Sequence, residues 1–211
     1  MTTGPKEEPQ KNMPTGRLRR VLPVLILGLM CILAAVLVYA HPWQGDASES
    51  DIEWNLTVVG SNGENVTLSL KDVKAVESTV SQGGFFTTTG VVHGPYEVKG
   101  VRIEDLCDLV GGLGSSDGVL VSAVDGYSAF FEHDEIGGNI STYEYNAATG
   151  NLKEVPHENL WLTLMYEQDG KALSDDDGKP LRLAVAGDDR LLTEGFRWVR
   201  WVDRIEVITS G

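Results

Sequence analysis

Cysteine is scarce in this 211-residue chain, which holds two, Cys31 and Cys107. Two are too few for a disulfide scaffold. Basic residues are also few, 17 Lys and Arg against 31 Asp and Glu, for a net charge of -14. Nucleic-acid binding is excluded on that balance, because phosphate contacts need clustered Lys and Arg. There is no nucleophile elbow, P-loop or dinucleotide fingerprint, and no haem-attachment motif. Repeats and low-complexity runs are missing from residues 52–211. The three histidines of that stretch, His93, His133 and His157, lack metal-ligand spacing. Asp175-Asp176-Asp177-Gly178 begins like a calcium loop but lacks the closing Glu, so a charged turn is expected there.

The charge is unevenly placed. Residues 1–20 carry five basic and two acidic side chains, +3, which leaves 12 basic against 29 acidic, -17, for the rest. Between these regimes runs Val21 to Ala40, 20 residues without a charge. A helix of that length rises about 30 Å, the thickness of a bilayer's hydrocarbon core. Arg17, Arg19 and Arg20 precede it, and Tyr39 and Trp43 fall where interfacial aromatics are favoured. The segment is expected to be a transmembrane helix, with a cytoplasmic basic tail (1–20), a linker (41–51) and an extracytoplasmic domain (52–211). The rival is a cleaved signal peptide ending at Val38-Tyr39-Ala40, but signal h-regions run roughly 7–15 residues, shorter than this one. The partners expected are a membrane, through this one helix, and a small-molecule or protein ligand. Three sequons, at Asn55, Asn65 and Asn139, fit an exported domain in a glycosylating host.

The domain reads as α+β. Trp54, Leu56 and Val58 alternate with polar residues as a strand does, Ser61 to Glu64 is a turn, and Val66 to Leu70 is the returning strand. Ser69 is placed to N-cap a short helix through Val76. Ile103, Leu106, Cys107 and Val110 make one helix face, closed by Gly111-Gly112, which puts Cys107 on the core side as a small hydrophobe. Val119–Val124 and Tyr127–Phe131 flank Asp125-Gly126, the signature of a hairpin with a two-residue turn. Further strands are expected at 142–145, 152–155, 161–165 and 181–185. A last strand carries Val199, Trp201, Ile205 and Val207 on one face and Arg200, Arg204 and Glu206 on the other.

Five stretches, in order, resemble the sulfite oxidase-like molybdopterin-binding domain: Val66 to Val73, Tyr96 to Leu109, the Asp125-Gly126-Tyr127-Ser128 hairpin, Tyr166 to Leu183, and the closing strand Arg197 to Val207. The resemblance covers about residues 52–211 and implies that family's mixed β-sheet. It implies a pterin cofactor whose dithiolene holds molybdenum together with one protein thiolate, and two-electron oxygen-atom chemistry such as sulfite oxidation or sulfoxide reduction. It places a substrate hydrogen-bond donor at Tyr127 and cofactor-binding cations at Arg182, Arg197 and Arg200. Structural roles stand beside these: a strand aromatic for Tyr127, a salt bridge for Arg182, and a solvated face with Glu206 for Arg200. The resemblance also places the ligand thiolate between Glu77 and Pro95, and this interval has no Cys. Ser78, Thr79 and Ser81 offer only hard oxygens where a soft sulfur is wanted. Two functions are open: a descendant that binds a ligand or partner without molybdenum, and an active molybdopterin-dependent oxidoreductase.

Overall fold

The computed structural model describes residues 53–209. The expected membrane segment lies outside them, and among the described residues no helix is long and apolar enough to cross a membrane.

Thirteen strands and three short helices are present among the described residues. The first sheet has five strands, in the order β2 (Asn65–Ser69), β1 (Asn55–Val59), β13 (Val202–Thr209), β5 (Asp117–Ala123) and β6 (Ser128–Phe131). β1 runs parallel to β13 and the other pairs are antiparallel, so the sheet is mixed as expected. Ser69 ends β2 and caps α1 (Leu70–Ala75) in a reciprocal box with Asp72, two bonds that satisfy free N–H groups at the helix start. The carboxyl of Asp72 is lowered by the Ser69 hydroxyl and then by the Ser69 backbone N–H.

The second sheet has eight strands. β10 (Lys171–Ala172), β9 (Leu160–Gln168), β11 (Arg182–Gly187), β3 (Thr79–Phe86), β12 (Leu192–Glu194), β7 (Thr142–Asn146) and β8 (Asn151–Val155) follow in that order. β4 (Val92–Arg102) pairs with both β3 and β9, so β3, β4, β9 and β11 close into a ring. Closure needs small residues where backbones meet. A Cβ on Gly100 would lie 2.3 Å from the Leu164 carbonyl oxygen, and one on Gly83 would lie 2.6 Å from that of Val185.

β9 and β11 are buried on both faces, which is why each reads as an almost unbroken apolar run. Leu162, Leu164, Leu183 and Val185 face the main core. Leu56, Val58, Val121 and Ile205 of the first sheet meet them there, with Ile103, Leu106 and Cys107 of α2 (Ile103–Asp108). Met165, Ala184 and Ala186 face a second cluster with Val98, Leu173 and Trp198.

Two local expectations need correction. The hairpin at Asp125-Gly126 has a three-residue connection, closed by the Ala123 N–H donating to the Tyr127 carbonyl, with Gly126 at φ 88°. Three-residue loops of this kind use a left-handed residue at the last position, and Gly supplies it. The closing strand starts at Val202, not Val199. Trp201 sits at φ 56°, the register shifts between Val202 and Arg204, and Val202 is buried instead of Trp201. A bulge of this kind breaks the alternation that sequence parity assumes.

Candidate functional site

Arg182, Arg200 and Arg197 lie on the chain from β11 to the start of β13, and Tyr127 lies at the hairpin next to it. The turn Gly195–Arg197 joins β12 to the approach to β13. The Tyr127 hydroxyl donates to the Phe196 carbonyl at 2.8 Å, and its own N–H donates to the Asp125 carboxylate. The phenol therefore packs on the turn that carries Arg197, with its hydroxyl proton already placed on a backbone oxygen.

Arg197 is 15% exposed and sits between two carboxylates. Its Nη1 pairs with Glu135 of α3 (His133–Ile136), and its Nε pairs with Glu194 at 3.4 Å. The guanidinium also lies over the Phe196 ring, 4.8 Å from the centroid. Sequence reading gave no sign of Glu135 as its partner, since the two are 62 positions apart.

Arg200 does not share a strand face with Glu206; it precedes the strand. Its Nη1 donates to the Asp176 carbonyl at 3.0 Å, and it stacks on Trp201. Arg204 is the partner of Glu206, at 3.0 Å. Arg182 is buried and makes no ion pair among the described residues. Its Nη1 donates to the Asp177 carbonyl at 3.3 Å. Its guanidinium lies 4.7 Å from the Phe85 ring centre and 5.2 Å from that of Trp198, while its Nε finds no acceptor. Burial, and after it the charge of Arg200, lower its pKa to about 10, so it remains charged at neutral pH. The loop 175–177 thus receives both arginines on its carbonyls, and among the described residues no cluster of three metal-ligating side chains occurs.

Around Arg182 the space is aromatic. Phe85 stacks on His93 at 4.5 Å and tilts against Trp198 at 5.1 Å, and the Trp198 indole N–H donates to the Thr193 hydroxyl. Arg190, from the loop before β12, donates to the Gln82 side chain and the Pro95 carbonyl, both at 3.1 Å.

A molybdenum dithiolene needs a soft anionic ligand from the protein. The interval 77–95 has become β3 and the start of β4. Its buried hydroxyl, Ser81, donates to the Val98 carbonyl at 3.5 Å, and the Thr79 hydroxyl is buried without a partner. Cys107, the one thiol among the described residues, is fully enclosed on α2. Burial pushes it up to about 12, and the charges of Asp108 and Glu104 add to the shift. A protonated, enclosed thiol is not a metal ligand. The donors among the described residues therefore do not fit a thiolate-held molybdenum.

The family model described as oxidoreductase molybdopterin binding domain matches residues 44–211. No curated protein matches the chain. Among solved structures, the sulfane dehydrogenase SoxCD from Paracoccus pantotrophus is similar, at 16% identity and a TM-score of 0.56. The likeness covers 78% of this chain and 40% of that one, and at this identity it speaks for the fold alone.

Proposed function

This chain belongs to the oxidoreductase molybdopterin binding domain family, and from that premise we propose that it is a family domain that binds a ligand or partner without molybdenum catalysis, anchored by residues 21–40 with the domain on the extracytoplasmic side. The observation that carries the proposal is the donor set. The domain's only thiol is enclosed and protonated, and Arg182, Arg197 and Arg200 already donate to protein oxygens. An anionic pterin would have to displace these bonds, and its metal would find no accessible thiolate among the described residues. The anchor is supported by the uncharged run 21–40 behind Arg17, Arg19 and Arg20.

The test is the cofactor content of the full chain, expressed in a host that makes molybdopterin. The expected result is a folded protein with neither molybdenum by metal analysis nor pterin fluorescence after acid release. Stoichiometric molybdenum and pterin would overturn the proposal in favour of the alternative, a molybdopterin-dependent oxidoreductase of the sulfite oxidase or sulfoxide reductase type.

A further inference from the structure

Six arginines are among the described residues, and five of them donate hydrogen bonds to protein acceptors: Arg182, Arg190, Arg197, Arg200 and Arg204. The sixth, Arg102, donates to none and makes no ion pair among the described residues. It ends β4, opposite Thr163 of β9, and its guanidinium lies 4.0 Å from the ring centre of Trp161. The Nε of Arg102 and the indole Nε1 of Trp161 are both buried without an acceptor, and so is Nδ1 of His157.

These three residues line one cleft of about 530 Å³, within the usual range for small-molecule sites, about 300–1,000 Å³. Two of the unsatisfied atoms are obligatory donors, and the imidazole nitrogen can donate as well. The Nη groups of Arg102 also donate to no acceptor among the described residues, so its guanidinium is the donor in this wall that an acceptor in the cleft can meet. A carboxylate, with two oxygens and a negative charge opposite Arg102, meets that need.

The other lining charges restrict the ligand further. Glu104, Glu158 and Asp188 share the cleft with Arg102, which gives the lining a net negative charge. Asp188 already accepts from the Asn159 amide at 2.7 Å. A bare anion would be repelled by this rim, and a bare cation would leave the buried donors unsatisfied. We propose that the cleft binds a small zwitterion of the amino-acid class, its carboxylate at the guanidinium of Arg102, which Trp161 supports from beneath, and its ammonium toward the acidic side chains. The site contains none of Tyr127, Arg182, Arg197 and Arg200, so it does not depend on the absence of molybdenum.

The test uses the full chain in detergent micelles, isotope-labelled at the indole nitrogens of its five tryptophans. Trp161→Phe identifies the Trp161 indole signal. Glycine and the common L-amino acids are titrated one at a time, with acetate and methylammonium as the two half-ligands. At least one amino acid is expected to shift the Trp161 signal saturably in the millimolar range or below, with both half-ligands about tenfold weaker or worse. Arg102→Gln is expected to weaken that amino acid about tenfold or more. No saturable shift with any amino acid up to about 20 mM overturns the proposal on the unmodified protein, whatever the variants do. Acetate binding as well as the amino acids would also overturn it, leaving a simple anion site.

Discussion

If Arg197 is a tie within the fold and not a cofactor ligand, replacing it should destabilise the domain by an amount its surroundings set. Its side chain is 15% exposed, and those of Glu135 and Glu194 are 22% and 29% exposed. Exposed pairs contribute about 0–1 kcal/mol, whereas removing one partner of a fully buried pair costs about 3–5 kcal/mol. These exposures lie between, so Arg197→Gln should cost about 2 kcal/mol. Glu135 also accepts from the Glu132 N–H at 3.0 Å, capping α3, so the tie holds that helix to the turn before β13. Glu135→Gln should cost less, because the amide oxygen still accepts from the cap. The double variant should fall short of the sum by about 1 kcal/mol, the signature of a direct pair. The assay is urea unfolding of residues 41–211, in which 2 kcal/mol appears as a midpoint shift of about 1 M. A coupling below about 0.3 kcal/mol, with the arginine variant within about 0.5 kcal/mol of the parent, would refute the reasoning and free Arg197 for an anionic ligand.

Cys107 should not react with a thiol reagent in the folded domain at pH 8 and should react fully in denaturant. Its folded pKa is raised, to about 12, so the folded state holds a proton that the unfolded state gives up. Stability from this group is present below pH 9 and lost as pH climbs toward 12, by up to about 4 kcal/mol for three units. The difference between the parent and Cys107→Ala across that window isolates it, and a pH-independent difference would show the thiol is not enclosed. Gly100→Ala should lower stability by about 2–3 kcal/mol, since the new Cβ meets the Leu164 backbone, which cannot swing aside as a side chain can. An unchanged unfolding midpoint would mean β4 does not close on β9.

The elements governed by local rules were legible. The alternation in β1, the Ser69 cap and the Ile103, Leu106 and Cys107 face of α2 each depend on neighbours in sequence, and each is where the pattern puts it, although α2 ends at Asp108, before Val110. β3 and β4 were not legible, although they are the longest hairpin. Gly83-Gly84 and Gly94-Pro95 break their pattern, and Gly83 is also where β3 comes close to the backbone of β11 in the ring. Register also failed at Trp201, where one left-handed residue and a bulge turn the strand. The site was half legible. Motif position singled out Tyr127, Arg182, Arg197 and Arg200, but their acceptors are the distant Glu135, the nearby Glu194 and the carbonyls of Asp176, Asp177 and Phe196. Backbone oxygens leave no mark in a sequence. Arg102 had no sequence signal, since its stacking on Trp161 comes from the pairing of β4 with β9.

The acidity of the domain takes its meaning from these partners. A chain region at -17 with six arginines in the described domain can serve an anion only where a guanidinium is not already engaged. Around Arg182 and Arg200 the cations meet carbonyls and rings, and around Arg197 they meet carboxylates. A phosphate arriving there exchanges one charged hydrogen bond for another, so little of the roughly 1.5–3 kcal/mol per bond remains as net affinity. At Arg102 no part of the guanidinium donates to an acceptor among the described residues, so a carboxylate there displaces no hydrogen bond. Anion affinity in this fold should therefore have moved from the turn before β13, where the family resemblance places it, to the cleft at the end of β4, where three carboxylates limit it to ligands that also carry a positive charge.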